Sequence, residues 1–146
     1  MKTLYLVGGT MGVGKTAVCQ HMKKLLNNSV FLDGDWCWEA NPFQVTEETK
    51  SMVMYNICYL LNNFIHCSAY ENIIFCWVMH QREIIDRILN KLDTANCNLK
   101  VLTLTCDERT LRQRLQKDID KGIRSSDIIE RSLVAQCAVS SYPQLR

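Results

Sequence analysis

The sequence predicts an α/β chain in which helices cover both faces of a parallel sheet. Three observations point there. Four short apolar or alternating runs are separated by segments of helical periodicity. The first run empties into glycines that open a helix, and the 146-residue length suits one domain, 1–146, with one core. Strands joined through helices imply parallel pairing with both sheet faces covered.

Thr3 to Val7 mixes β-branched, aromatic and aliphatic residues and reads as the first strand. Lys15 to Leu26 is helical, with Val18, Met22, Leu25 and Leu26 on one stripe, and Asn27-Asn28-Ser29 breaks it. Val30-Phe31-Leu32 is a short buried strand running into Asp33-Gly34-Asp35, followed by an aromatic loop with Pro42. Thr46 caps a long helix whose first turn holds Glu47 and Glu48, which suit the positive end of the helix dipole. Its stripe is Val53, Ile57, Leu60, Leu61, Phe64 and Ile65. Asn72 to Met79 is a strongly apolar third strand, and Ile85, Ile88, Leu89 and Leu92 mark the next helix. Leu99 to Thr105 is the fourth strand, and Asp107 caps a helix carrying Leu111 and Leu115. A polar stretch, Lys117 to Ser126, leads into a last helix with Ile128, Ile129, Leu133 and Val134. After Tyr142-Pro143 only three residues remain, so either the chain is shortened or a sheet edge is left open.

Composition narrows the function classes. About half of the chain is apolar and its formal charge is only +2, which argues against disorder and against a non-specific nucleic-acid binder. The longest apolar run, Ile73 to Met79, is too short to span a bilayer, and no signal peptide is visible, so a cytoplasmic location without membrane partners is expected. Eight cysteines show no C-x-x-C pair and no metal-site spacing with histidine. They read as reduced thiols.

Gly9-Thr10-Met11-Gly12-Val13-Gly14-Lys15-Thr16 satisfies G-x-x-x-x-G-K-[ST], between a strand and a helix that continues with Ala17. A loop so short of side chains lets successive N–H groups form an anion nest, and the helix N-terminus adds positive potential. Lys15 would reach the β- and γ-phosphates of ATP, and Thr16 would ligate Mg²⁺.

Asp33 and Asp35, two apart at the carboxyl end of the second strand, face the same way if the chain stays extended. Such acids suit steadying Mg²⁺ and accepting a proton from an attacking hydroxyl. The same Asp-Gly between apolar residues is also a hairpin signal. Because the third strand ends in His80 without an acid, Asp33 is the candidate for Mg²⁺ and Asp35 for the acceptor.

Seven cations between Arg109 and Arg131 are nearly balanced by acids, and a solvated helix with local ion pairs explains most of them. Arg124, beside Gly122, is the candidate for a lid over the transferred group, and Arg114 for stacking on a base. Arg82, just past the third strand, is either an acceptor contact or a surface residue, and His80 is equally ambiguous. Trp36 and Trp38 are read either as core or as a pocket wall. Asn90-Lys91-Leu92-Asp93 matches a guanine motif but falls at a helix end, with no D-x-x-G anywhere in the chain.

With these residues in place, the sequence resembles a small P-loop kinase of the nucleoside monophosphate kinase group. Closer comparison is with the shikimate kinase and chloramphenicol phosphotransferase branch and the uncharacterised AAA-like nucleotide kinases of bacteria. The resemblance rests on GTMGVGKT, the DGD after the second strand, a helical acceptor region at about 36–67 and an arginine-bearing lid at about 117–126. It implies a three-layer αβα P-loop NTPase fold with sheet order 2-3-1-4. A fifth strand usually follows in such kinases, before a loop touching the base, and none is visible here. The expected activity is Mg²⁺·ATP-dependent phosphoryl transfer to a small-molecule acceptor, either a nucleotide or a hydroxylated metabolite. The alternative is a nucleotide-binding switch or regulatory ATPase without an acceptor. An open sheet edge also leaves room for a homodimer.

Overall fold

The computed structural model describes residues 1–140. Four strands, β1 (Lys2–Gly9), β2 (Ser29–Asp33), β3 (Asn72–Cys76) and β4 (Cys97–Leu104), form one parallel sheet in the order β2-β3-β1-β4. That is the expected order. No fifth strand occurs among the described residues, and Tyr142-Pro143 lies outside them.

The helices are α1 (Lys15–Leu25), α2 (Glu47–His66), α3 (Arg82–Asn90), α4 (Glu108–Asp120) and α5 (Ile128–Ser140). Alternating side chains of the central strand serve the two faces. Leu4 and Leu6 join Val53, Ile57, Leu61, Ile85 and Ile88 under α2 and α3. Val7 joins Cys19, Phe31, Ile74 and Cys76 under α1. A third cluster, Leu111, Leu115 and Ile128 with Met11 packed against it, ties α4 and α5 to the loop after β1.

The caps follow the sequence closely. Thr46 and Thr49 exchange side-chain and backbone hydrogen bonds in a capping box at the start of α2. The Asp107 carboxylate accepts from the Thr110 N–H at 2.8 Å at the start of α4. Asn90-Lys91-Leu92-Asp93 closes α3, with Lys91 as its C-cap.

Four local expectations need correction. The buried side of α1 is set by Cys19, with Met22 and Leu26 beside it, while Val18 and Leu25 face outward. Cys19 packs with Ile74 and Cys76 and its thiol pairs with that of Cys76, so helix rotation follows these contacts rather than hydropathy alone. The last helix likewise turns Val134 outward. β3 stops at Cys76, and Trp77 leaves the ladder although its N–H still reaches the Val7 carbonyl at 3.3 Å. Finally, α4 runs on to Asp120, so the first part of the proposed lid is helical. The turn follows at Lys121 and Gly122, where φ is +73°.

No helix among the described residues is long and apolar enough to cross a membrane. The described cysteines are all free. The hydrogen bond with Cys19, together with burial, pushes the Cys76 thiol up and keeps it protonated.

Candidate active site

The end of β1 and the loop that leads into α1 bend through three glycines at positive φ: Gly9 at 141°, Gly12 at 80° and Gly14 at 101°. Gly14 is the N-cap of α1 in the left-handed region, where a Cβ is disfavoured, so the helix opens directly onto the loop. Gly12 also sits against α4, where a Cβ would lie 2.8 Å from Leu115 Cδ2.

Neighbouring elements pin this loop. The buried Thr10 hydroxyl donates to the Ser132 carbonyl of α5 at 3.0 Å. Arg114 Nη1, from α4, donates to the Val13 carbonyl at 3.1 Å and to that of Gly12 at 3.4 Å. Thus Arg114 grips the loop backbone, and Thr10 points away from the cleft.

Lys15 and Thr16 stand at the first turn of α1. Lys15 Nζ donates to the Thr10 carbonyl at 2.9 Å, and the Thr16 hydroxyl donates to Asp33 Oδ2 at 2.7 Å. Burial lowers the Lys15 pKa, opposed in part by the charges of Asp35 and Asp33 and reinforced by Arg124.

Asp33 ends β2, level with Cys76 of β3. Here the chain does not fold back as a hairpin. It enters a 3-10 turn, Gly34–Cys37, capped by Asp33 Oδ1, which accepts from the Asp35 N–H at 3.0 Å. The turn, rather than an extended strand, brings both carboxylates to one cleft. Asp35 Oδ1 accepts from Trp77 Nε1 at 3.2 Å. Loss of water in the cleft raises the Asp35 pKa. The Asp33 charge adds to the rise, and Lys15, the Trp77 hydrogen bond and Arg124 oppose it.

A cleft of about 360 Å³ gathers Met11, Gly12, Gly14, Lys15, Thr16 and Ala17 with Asp33, Asp35, Arg114 and Arg124. Lys117, Asp118 and Lys121 complete its wall. Arg124 is held there by Asp118, Nε to Oδ2 at 3.0 Å, and its Nη1 lies 3.2 Å from Met11 Sδ. A second cleft of about 380 Å³ adjoins the first, sharing Met11 and Asp35 and lined otherwise by Trp36, Trp38, Glu39, Ala40 and Phe43.

Of the expected site residues, Arg82 lines neither cleft. It begins α3 and pairs on the surface with Asp86, one turn along, at 3.2 Å. That local partner accounts for the side chain. His80 Nδ1 is buried without a hydrogen-bond partner among the described residues. Sequence reasoning missed Trp77 as the group that orients Asp35, and Phe43 and Glu39 as cleft walls. The available signal was an indole immediately after the third strand, at the edge where α/β sheets bind ligands.

Asp33, Asp35 and Thr16 supply only oxygen donors, and no group of three or more His, Cys, Asp or Glu among the described residues forms an all-protein metal site. This donor set fits a hard cation that keeps waters and shares one or two carboxylates with phosphate oxygens.

A glycine loop opening onto a helix, a lysine beside it and a hydroxyl–carboxylate pair at the carboxyl edge of a 2-3-1-4 sheet define a P-loop NTPase fold. The chain belongs to the AAA domain family, whose model matches residues 6–133. Among solved structures it is similar to a gluconokinase from Sinorhizobium meliloti 1021, with 16% identity over 91% of this chain and 74% of that one and a TM-score of 0.66. It is also similar to the shikimate kinase from Acinetobacter baumannii in complex with shikimate, with 19% identity, 92% and 74% coverage and a TM-score of 0.54. A chain of the Pnkp1/Rnl/Hen1 RNA repair complex matches with 12% identity and a TM-score of 0.76, over 95% of this chain and 45% of that one. At such identities the likeness is one of fold. No curated protein matches by sequence.

Proposed function

We propose that the protein is a Mg²⁺·ATP-dependent kinase of a small molecule. The observation that carries this reading is Asp35, a carboxylate on the shared wall of two clefts. One cleft is a phosphate loop with cations. The other is large enough for an organic acceptor.

In this reading the loop amides and Lys15 hold the phosphates, and Ala17 adds to the wall. Thr16 and Asp33 would hold Mg²⁺, which would supply charge neutralisation between phosphate oxygens. Asp35 accepts the proton of the acceptor hydroxyl as its oxygen bonds to the terminal phosphorus. The bond from that phosphorus to the bridging oxygen breaks and ADP departs. The raised pKa of Asp35 suits a proton acceptor. Arg124, held by Asp118, faces the charge that spreads over the transferred group. Arg114 acts by fixing the loop. The neighbours named as kinases of gluconate and shikimate support small-molecule transfer, and the free thiols suit a reducing, cytoplasmic setting.

The test is calorimetric titration of Mg²⁺·ATP into the wild type and Lys15→Ala, alongside ADP release with candidate acceptors. The variant should lose at least about tenfold in affinity, the size of one charge-assisted phosphate contact. Unchanged binding and turnover in Lys15→Ala would end this reading.

A further inference from the structure

The second cleft has a chemical character of its own. Its volume, about 380 Å³, lies in the range of small-molecule sites. Trp36 and Phe43 on its wall remain 51% and 56% exposed. Their orientation is nevertheless set by other rings. Trp36 meets the buried Phe31 edge-on at 5.1 Å, and Trp38 meets Phe43 at 4.9 Å and Trp77 at 6.0 Å. Such T-shaped contacts hold rings in place while leaving faces open.

The charge pattern is equally one-sided. Glu39 and Asp35 are the ionisable residues of this cleft, and neither Lys nor Arg lines it. The lining cations all stand on the phosphate side. Lys15 and Arg124 offset Asp35 from the phosphate side, but Glu39 has no cation beside it on the cleft wall. A carboxylate or phosphate there would meet its charge unopposed, whereas an ammonium would meet Glu39 and the ring faces together.

We infer that the acceptor is a ring-bearing alcohol without a negative charge, and that Glu39 favours a cationic form over a neutral one. The ring lies against Trp36, Trp38 and Phe43, and the hydroxyl points to Asp35. This rests on the kinase reading for the role of Asp35, but not for the preference of the cleft.

Three probes share a phenyl ring and a CH₂OH group and differ at one carbon: 2-phenylglycinol (ammonium at neutral pH), 2-phenylethanol (neutral) and tropate (carboxylate). Tryptophan-fluorescence titration without nucleotide reads binding, and incubation with Mg²⁺·ATP followed by mass spectrometry reads transfer. The expected order of affinity is 2-phenylglycinol, then 2-phenylethanol, then tropate, with at least about tenfold between first and last. Glu39→Gln, a change at an exposed position, should weaken only 2-phenylglycinol. Tropate binding as well as the other two, or no binding of any probe at millimolar concentration, overturns the inference. So does faster transfer to tropate or to a 5′-hydroxyl RNA oligonucleotide, although the kinase reading then survives. The expected order of binding with no transfer to any acceptor upholds the preference and removes the kinase.

Discussion

Gly34 lies flat against Trp77, and replacing it with alanine is the sharpest available probe of how the cleft is built. A Cβ there would stand 2.5 Å from Trp77 Cγ, 2.7 Å from Cδ1 and 3.0 Å from Cβ. Ordinary carbon contacts begin near 3.5 Å, so the indole must retreat by roughly 1 Å. Overpacking of this kind costs about 1–3 kcal/mol. At about 2 kcal/mol the melting temperature of a domain this size should drop by ~4–8 °C. The same retreat stretches the 3.2 Å bond from Trp77 Nε1 to Asp35 and frees the carboxylate. Misplacement by about 1 Å can cost ~100-fold in turnover, so kcat should fall while nucleotide affinity holds. Urea unfolding followed by far-UV circular dichroism reads the stability, with Trp77→Ala and the double variant completing a cycle. Because Trp77→Ala removes the obstructing ring, Gly34→Ala should cost little in that background. An alanine at position 34 that is tolerated alone, or that costs as much without the indole, would refute the argument.

Asp35→Asn should abolish transfer yet, in metal-free buffer at pH 7, leave stability equal to or above wild type. The folded-state pKa of Asp35 is raised, so the folded form binds its proton more tightly than the unfolded chain. Ionised Asp35 therefore costs stability above both pKa values. Thermal melts should show the gain of the variant fading as pH falls through the raised folded-state pKa and gone below about 4, the ordinary carboxylate value. Gly12→Ala should both strain the backbone at φ +80° and strike Leu115, costing about 2–4 kcal/mol and lowering nucleotide affinity, as read by melting with and without Mg²⁺·ATP.

Much of the fold was legible because local signals agree with one another. The first strand is bounded by its own glycines, Thr46 and Asp107 carry their caps in the sequence, and the glycine–lysine loop requires a strand before and a helix after. The rotation of α1 was not legible, because Val18 and Leu25 outrank Cys19 in hydropathy, while the side that packs on the sheet is the one carrying the thiol that pairs with Cys76. The Asp33–Asp35 pair was found for an incomplete reason. Alternation in a strand suggested it, whereas a carboxylate-capped 3-10 turn produces it. Trp77 and Glu39 escaped notice because their roles arise from contacts between β3, the turn and the aromatic loop, which no spacing along the chain encodes.

The anchoring of the glycine loop to α5 has a mechanical consequence. Through Thr10 and Ser132, and through Met11 in the apolar cluster, the C-terminal helix hangs from the strap that would wrap the phosphates. Cutting the backbone near Ile123, an exposed residue in the turn between α4 and α5, should therefore loosen polyphosphate binding from a distance. Bound nucleotide should in turn slow proteolysis there, since cleavage requires local opening of what the ligand holds shut.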